Sequence, residues 1–212
     1  ATPDGGSAPA ESKVTLPKAF GQPNSVVVAP SLGAAADQIS IIAPPGRRGV
    51  EPRLTLNYSS MVGIGTLGLG WSIDTGSVEV WRGDGVPTVG DQDSYVYGLA
   101  GSGGQLINTG NGVYRAKLEN SYREFRRSGI HGGWEMYNGE GILHRFGGTP
   151  ASRIEGQQWM LDLVQDPYGN TMTYSYERVG NGLYISEIRY TGYAPTGDLG
   201  ENRVEFEYEP RD

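Results

Sequence analysis

The chain contains no cysteine, which excludes disulfide bridges and thiolate zinc centres and leaves stability to packing alone. Only two histidines, His131 and His144, occur in 212 residues. They lack H-x-x-x-H spacing, so the sequence encodes no transition-metal site. No apolar run approaches the roughly 18 residues that a membrane-spanning helix needs. No window carries a sustained apolar stripe of helical period, and Ser31–Ile39, with Ala34-Ala35-Ala36, is the sole predicted helical turn. Basic residues are outnumbered, 17 against 24, for a net charge of −7. That balance favours solubility and excludes nucleic acid as the expected partner.

What is abundant is glycine (34), proline (13) and tyrosine (13), with four tryptophans. So many turn formers oppose a helical protein, and so many aromatics oppose a disordered one. Residues 1–24, rich in Pro, Gly, Ser, Ala and Asn, read as a flexible lead-in. Residues 25–212 read as one β domain. After a first strand at Val26–Val28, short strands are predicted at Val78–Trp81, Tyr95–Leu99, Gln105–Ile107, Val113–Leu118, Tyr122–Arg127, Trp134–Tyr137, Ile142–Phe146, Trp159–Val164, Thr171–Glu177, Leu183–Tyr190 and Val204–Tyr208. Turn signals part them at the spacing of an all-β fold: antiparallel short strands and hairpins in curved, packed sheets.

Residues 39–73 organise the amino-terminal half. Pro44, Pro45 and Gly46 stop an apolar run, because proline lacks a donor and glycine admits positive φ. Arg47, Gly49 and Pro52 continue the turn. Leu54, Leu56 and Tyr58 then alternate with polar residues as a half-buried strand. Gly63, Gly65 and Gly68 spell G-x-G-x-x-G, with Asp84 at the distance of a ribose-binding acid. Dinucleotide binding needs a helix amino terminus there. Here Gly70, Trp71 and Ile73 lead into strand and turn instead, so Gly68 and Gly70 are read as corner residues beneath Trp71.

In the last third, Trp159, Leu161 and Leu163 alternate into Asp166-Pro167-Tyr168-Gly169-Asn170. Met172, Tyr174 and Tyr176 alternate out, giving a hairpin predicted to carry one aromatic face. Trp134–Gly147 is a weaker echo, with Asn138-Gly139-Glu140-Gly141 as its turn. The remaining chemistry reduces to bland readings. Glu205 and Glu207 form an E-x-E pair but alternate with Val204, Phe206 and Tyr208 as the solvent face of a strand. Asp84, Asp91 and Asp93 flank a loop without EF-hand spacing. Arg82-Gly83-Asp84 is a turn, and Asn57-Tyr58-Ser59 is a sequon of no assigned meaning. Arg123, Arg126 and Arg127 cluster around Phe125, which is read as inside or stacked on arginine. No catalytic, cofactor or metal residue is assigned.

The run P-P-G-R-x-G-x-x-P-x-L-x-L-x-Y-x-S, followed by G-x-G-x-L-G-x-G-W-S-I, resembles the amino-terminal domain of the SpvB/TcaC family. That domain opens virulence-plasmid B proteins, insecticidal toxin-complex B components and large proteins with Rhs (YD) repeats. The resemblance continues through Trp134-Glu135, Phe146-Gly147, Trp159 and residues 204–212, and the hairpin at Trp159–Tyr176 looks like a YD-type unit. It implies a secreted or surface, non-catalytic module whose hairpins join a hollow β-shell around a carboxy-terminal effector. Its expected partners are the Rhs and propeller repeats of the same polypeptide and other toxin-complex subunits, with the fragment itself monomeric. In some of these proteins a mono-ADP-ribosyltransferase follows as a separate domain; its S-T-S strand is absent from this sequence. The rival reading is a carbohydrate- or surface-binding β module, with Trp81 and Trp134 as stacking platforms.

Overall fold

The computed structural model describes residues 27–29, 34–65, 67–81, 94–118, 122–129 and 132–209. The predicted lead-in 1–24, the loop carrying Asp84, Asp91 and Asp93, the Arg82-Gly83-Asp84 tripeptide and His131 lie outside these residues. Among the described residues regular structure is almost all strand, interrupted by two single 3₁₀ turns, Pro150–Ser152 and Ala194–Thr196.

The chain opens with β1 (Val27–Ala29), β2 (Ala34–Ile41) and β3 (Leu54–Ser59). A two-residue-stranded hairpin follows, β4 (Ile64–Gly65) with β5 (Gly68–Leu69), and then β6 (Trp71–Ile73). Sheet order is β1-β2-β3-β6, every pair antiparallel. The helical turn predicted at Ser31–Ile39 is strand from Ala34 onward. Ala34–Ala36 pair in register with Val27–Ala29, and Ala36 also pairs with Ser59. Two ladders of partners outweigh the weak helix preference of three alanines.

The rest of the chain supplies β7 (Ser77–Val80), β8 (Tyr95–Leu99), β9 (Ser102–Gly110), β10 (Val113–Ala116), β11 (Glu124–Arg127), β12 (Trp134–Tyr137) and β13 (Leu143–Phe146). The short β14 (Arg153–Ile154) precedes β15 (Gln158–Gln165), β16 (Asn170–Val179), β17 (Gly182–Tyr193) and β18 (Asn202–Glu205). From β7 to β13 each strand pairs antiparallel with the next. β15 closes the circuit, its first half pairing with β7 and its second half with β13. Eight antiparallel strands therefore form a closed barrel, which removes the sheet edges that β7 and β13 would otherwise expose. β16, β17 and β18 continue from β15 as a meander outside the barrel.

Closure explains the alternation of burial. Val78, Val80, Tyr95, Tyr97, Leu106, Phe125, Trp134, Met136, Phe146 and Trp159 are buried, and in-register partners such as Val78 and Trp159 lie on the same inner face. On β15 the alternation fails at Asp162. β13 pairs Phe146 with Leu161 but Arg145 with Leu163, so Asp162 is an extra residue on β15. The bulge breaks the expected face of Trp159, Leu161 and Leu163. Val164, not Leu163, stands opposite Met172, and Leu163 is only half-buried.

The last strand is Asn202–Glu205, beginning and ending earlier than the predicted Val204–Tyr208. The Phe206 amide still donates to Ser186 O, and the Tyr208 hydroxyl donates to Ile185 O at 2.9 Å. The segment beyond Glu205 thus stays tied to β17 by one backbone and one side-chain hydrogen bond. β18 is the end member of its sheet, with β17 its only strand partner among the described residues.

Candidate functional site

The barrel bore is filled. Trp134 sits at the centre of an aromatic cluster, 4.7 Å from Tyr95, 4.9 Å from Tyr114 and 6.2 Å from Trp159 between ring centroids, in edge-on geometries. Phe125 lies 4.9 Å from Tyr97 and 6.3 Å from Phe146. Arg127 shares the inward register of Trp134. Its guanidinium lies 4.7 Å from the Trp159 ring, 4.9 Å from Trp134 and 5.6 Å from Tyr95. Arg123 reaches Tyr97, 5.7 Å from the ring and 3.4 Å from the hydroxyl to which it donates. Arg123, Phe125 and Arg127, two residues apart, thus place a cation on either side of a buried ring, both seated on aromatic faces. Phe125 is inside, the first of the two placements expected from the sequence.

His144 faces Met136 and Val164 across β13. Burial pushes its pKa down to about 4, helped by the Arg123 charge and opposed by a hydrogen bond with the Ile142 backbone. It is a neutral filler at pH 7, and its Nδ1 is buried without a protein partner. An imidazole with neither a carboxylate nor a nucleophile against it has no catalytic geometry.

The carboxylate that the sequence reading missed is Asp162. It is 2% exposed and accepts from Arg145 Nε at 2.8 Å, the Thr149 amide at 2.8 Å and Ser152 Oγ at 2.9 Å. Every contact is structural, tying the 3₁₀ turn to the bulge of β15. The one signal in the sequence is a charged residue breaking an apolar alternation. Beside it, Gly147 (φ +65°) lies under Trp159, and a built Cβ would collide with Cδ1 and stand 2.9 Å from Cβ and Cγ.

Asp166–Asn170 makes the expected turn. The Asp166 amide donates to Asn170 O and the Gly169 amide to Asp166 O, both at 3.1 Å, with Gly169 at φ +90°. Asp166 Oδ1 accepts the amides of Tyr168 and Asn170, and Oδ2 accepts Asn170 Nδ2 at 2.7 Å. Burial alone would raise the Asp166 pKa. The Asn170 and Tyr168 hydrogen bonds, with the Arg48 charge, outweigh it and hold the carboxyl below its ordinary value. Asn138–Ile142 repeats this geometry with Asn138 in the aspartate's place: Oδ1 accepts the amides of Glu140 and Ile142, and Gly141 has φ +77°. The two turns are neighbours, a Cβ on Gly141 lying 3.3 Å from Pro167 Cγ.

The Pro44–Pro52 motif meets the same region. Val50 and Pro52 are buried. The Val50 amide donates to Arg47 O across a two-residue turn with Arg48 at φ +53° and Gly49 at φ +80°. Arg48 stacks 3.9 Å above the Tyr168 ring, and the Tyr190 hydroxyl donates to Pro44 O at 3.1 Å. Gly46 is required because a Cβ would strike Val50 O. Gly70 (φ +76°) approaches Tyr58, where a Cβ would lie 2.7 Å from Cε2. Trp71 is half-buried against Tyr58 at 5.2 Å, and Gly65, not Gly68, passes beneath its carbonyl. Tyr176 is buried, its hydroxyl donating to Leu161 O at 2.8 Å, while Tyr174 is half-buried beside Met172. The motif residues therefore meet in two structural seams, around Tyr168–Tyr190 and around Tyr58–Trp71, and in neither do they line a cleft.

The two proposed stacking platforms part company. Trp134 is fully buried and cannot meet a solvent ligand. Trp81 is 46% exposed and borders an open groove of about 500 Å³ on the outer face of the barrel, lined also by Glu79, Val96, Ile154 and Gln158. Glu205 lies on β18 in an exposed ion pair with Arg203, and Glu207 is exposed beyond the strand. No group of three metal-ligating side chains and no helix long and apolar enough to cross a membrane occurs among the described residues.

Comparison with known proteins is consistent with this architecture. The family described as Salmonella virulence plasmid 65kDa B protein matches residues 29–117. The chain is 26% identical over 239 residues to the mono(ADP-ribosyl)transferase SpvB of Salmonella choleraesuis strain SC-B67, covering 82% of this chain and 40% of that protein. It superposes on the amino-terminal domain of the effector protein SpvB from Salmonella typhimurium strain LT2 with a TM-score of 0.58 at 26% identity, covering 76% and 66% of the two chains. The crystal structure of TcdB2-TccC3 shares the fold, with a TM-score of 0.61 at 24% identity over 74% of this chain and 10% of that one.

Proposed function

Given that the chain carries an SpvB-type amino-terminal domain, we propose that it is a non-catalytic structural module of a large secreted toxin-type protein. It contributes wall to a β-shell that encloses a carboxy-terminal effector. The observation that carries this reading is the filled barrel: buried rings occupy the bore, Arg123 and the exposed Arg127 cap them, and the buried carboxylates Asp162 and Asp166 are consumed in packing and turns. An enzyme of this size would need a cleft with an acid–base or nucleophile pair aimed into it; the groove beside Trp81 is lined by a single carboxylate, Glu79. The relative named as a transferase is matched over 40% of its length. We assign that protein's activity to the part that is not shared here.

As wall, the module offers β18 as the strand on which a following segment adds, and the hairpin β15–β16 is one of the Rhs-type units that would continue the shell. Hydrogen exchange tests this. The outward-facing amides of β18 should exchange freely in the isolated chain and become protected when it is expressed from its complete reading frame. Equal exchange in both would remove the wall role.

A further inference from the structure

We propose that the outer face of the barrel carries a binding site for a neutral sugar ring, centred on Trp81. The site is built by register. Val96, Glu79, Gln158 and Ile154 are successive cross-strand partners on β8, β7, β15 and β14, so they form one transverse row on the outside of the barrel. The row has apolar ends and a polar centre. Trp81 follows directly after β7 and walls the groove above it.

The polar centre is held in one arrangement. Glu79 Oε1 accepts from Ser77 Oγ at 2.9 Å and from Gln158 Nε2 at 3.0 Å. The carboxylate is therefore fixed on the strand face, while Oε2 has no protein donor among the described residues. A fixed acceptor beside a primary amide suits two adjacent hydroxyls, each of which can donate and accept. An exposed indole beside them suits the apolar C–H face of a pyranose, and the valine and isoleucine bound the groove at its two ends. The same carboxylate, facing a net-negative protein, disfavours anionic sugars. The class is thus a neutral hexose or N-acetylhexosamine. This site stands apart from the module role, since a shell wall presents its outer face to solvent whether or not it binds anything.

The test uses the intact 212-residue chain. Its four tryptophans give four indole N–H signals, and Trp81→Phe identifies which one belongs to Trp81. The protein is titrated with methyl β-glucoside, galactose, N-acetylglucosamine and maltose to about 50 mM, a range that reaches millimolar affinities, with sialic acid as the charged control. At least one neutral sugar should move the Trp81 signal saturably while the signals of buried Trp134 and Trp159 stay fixed. Trp81→Ala should abolish binding detected on neighbouring β7 and β8 amides, and Glu79→Gln should weaken it about tenfold or more, both with unchanged circular dichroism. If none of the four sugars moves the signal, if sialic acid moves it equally, or if Glu79→Gln binds as wild type, the proposal is overturned.

Discussion

Gly147 and Gly156 share a left-handed φ, +65° and +67°, and differ in surroundings. A Cβ on Gly156 would meet nothing within 4 Å, whereas one on Gly147 would run into the buried Trp159 ring. Left-handed backbone costs a non-glycine residue about 1–2 kcal/mol. Gly156→Ala should lose that amount and no more. Gly147→Ala should lose it together with an overpacking cost of about 1–3 kcal/mol, because Trp159 cannot retreat from Trp134 and Arg127. Urea unfolding followed by far-ultraviolet circular dichroism gives both numbers, the difference appearing as a lower midpoint at constant m-value. The tryptophan emission of Gly147→Ala should also shift as Trp159 is displaced. Equal losses for the two variants would refute the claim that the glycine is required by the aromatic core.

Other expectations follow from individual residues. His144, neutral in the folded barrel with its pKa near 4, takes a proton in the unfolded chain near 6.5, so stability should be complete above pH 6.5 and fall by about 3 kcal/mol on the way to pH 4; His144→Leu should flatten that part of a pH–stability curve. Asp166, held below its ordinary value of 3.8, stabilises above that pH and should lose its contribution as the pH falls further, a slope absent from Asp166→Asn. Asp162→Ala leaves Arg145, the Thr149 amide and Ser152 without their shared acceptor and should cost about 2–4 kcal/mol by urea unfolding. Replacing Arg203 and Glu205 on β18 by threonine should increase self-association in sedimentation velocity, because charge is what blunts an open edge.

The sequence was most legible where chemistry is local. Tyr95–Leu99 and Trp134–Tyr137 are strands over those residues, because alternation and flanking turn residues define them. D-P-Y-G-N declares its turn, since a side-chain acceptor and a glycine three residues on are what that geometry needs. Long-range facts stayed hidden. That β15 divides its pairing between β7 and β13 is a property of closure, to which no single strand's pattern points. The bulge at Asp162 reverses the face of Leu163, and a period-two reading has no means of inserting it. Trp134 was offered to solvent because a tryptophan between glycine turns and an acidic strand gives no sign of facing a closed bore. Arg127 stays solvent-exposed, yet its guanidinium also lies over rings from β8, β12 and β15, contacts that a strand pattern does not reveal. The Ala34–Ala36 strand was misread for the same reason: its state is set by β1 and β3, not by alanine.

The account's central claim, a catalytically silent β module, is tested most directly with labelled NAD. The purified 212 residues, incubated with NAD and a host-cell lysate, should transfer no label to protein and release no nicotinamide, and Glu205→Gln with Glu207→Gln should behave identically with an unchanged fold. Label transfer by the wild-type chain that disappears in the double variant would contradict it.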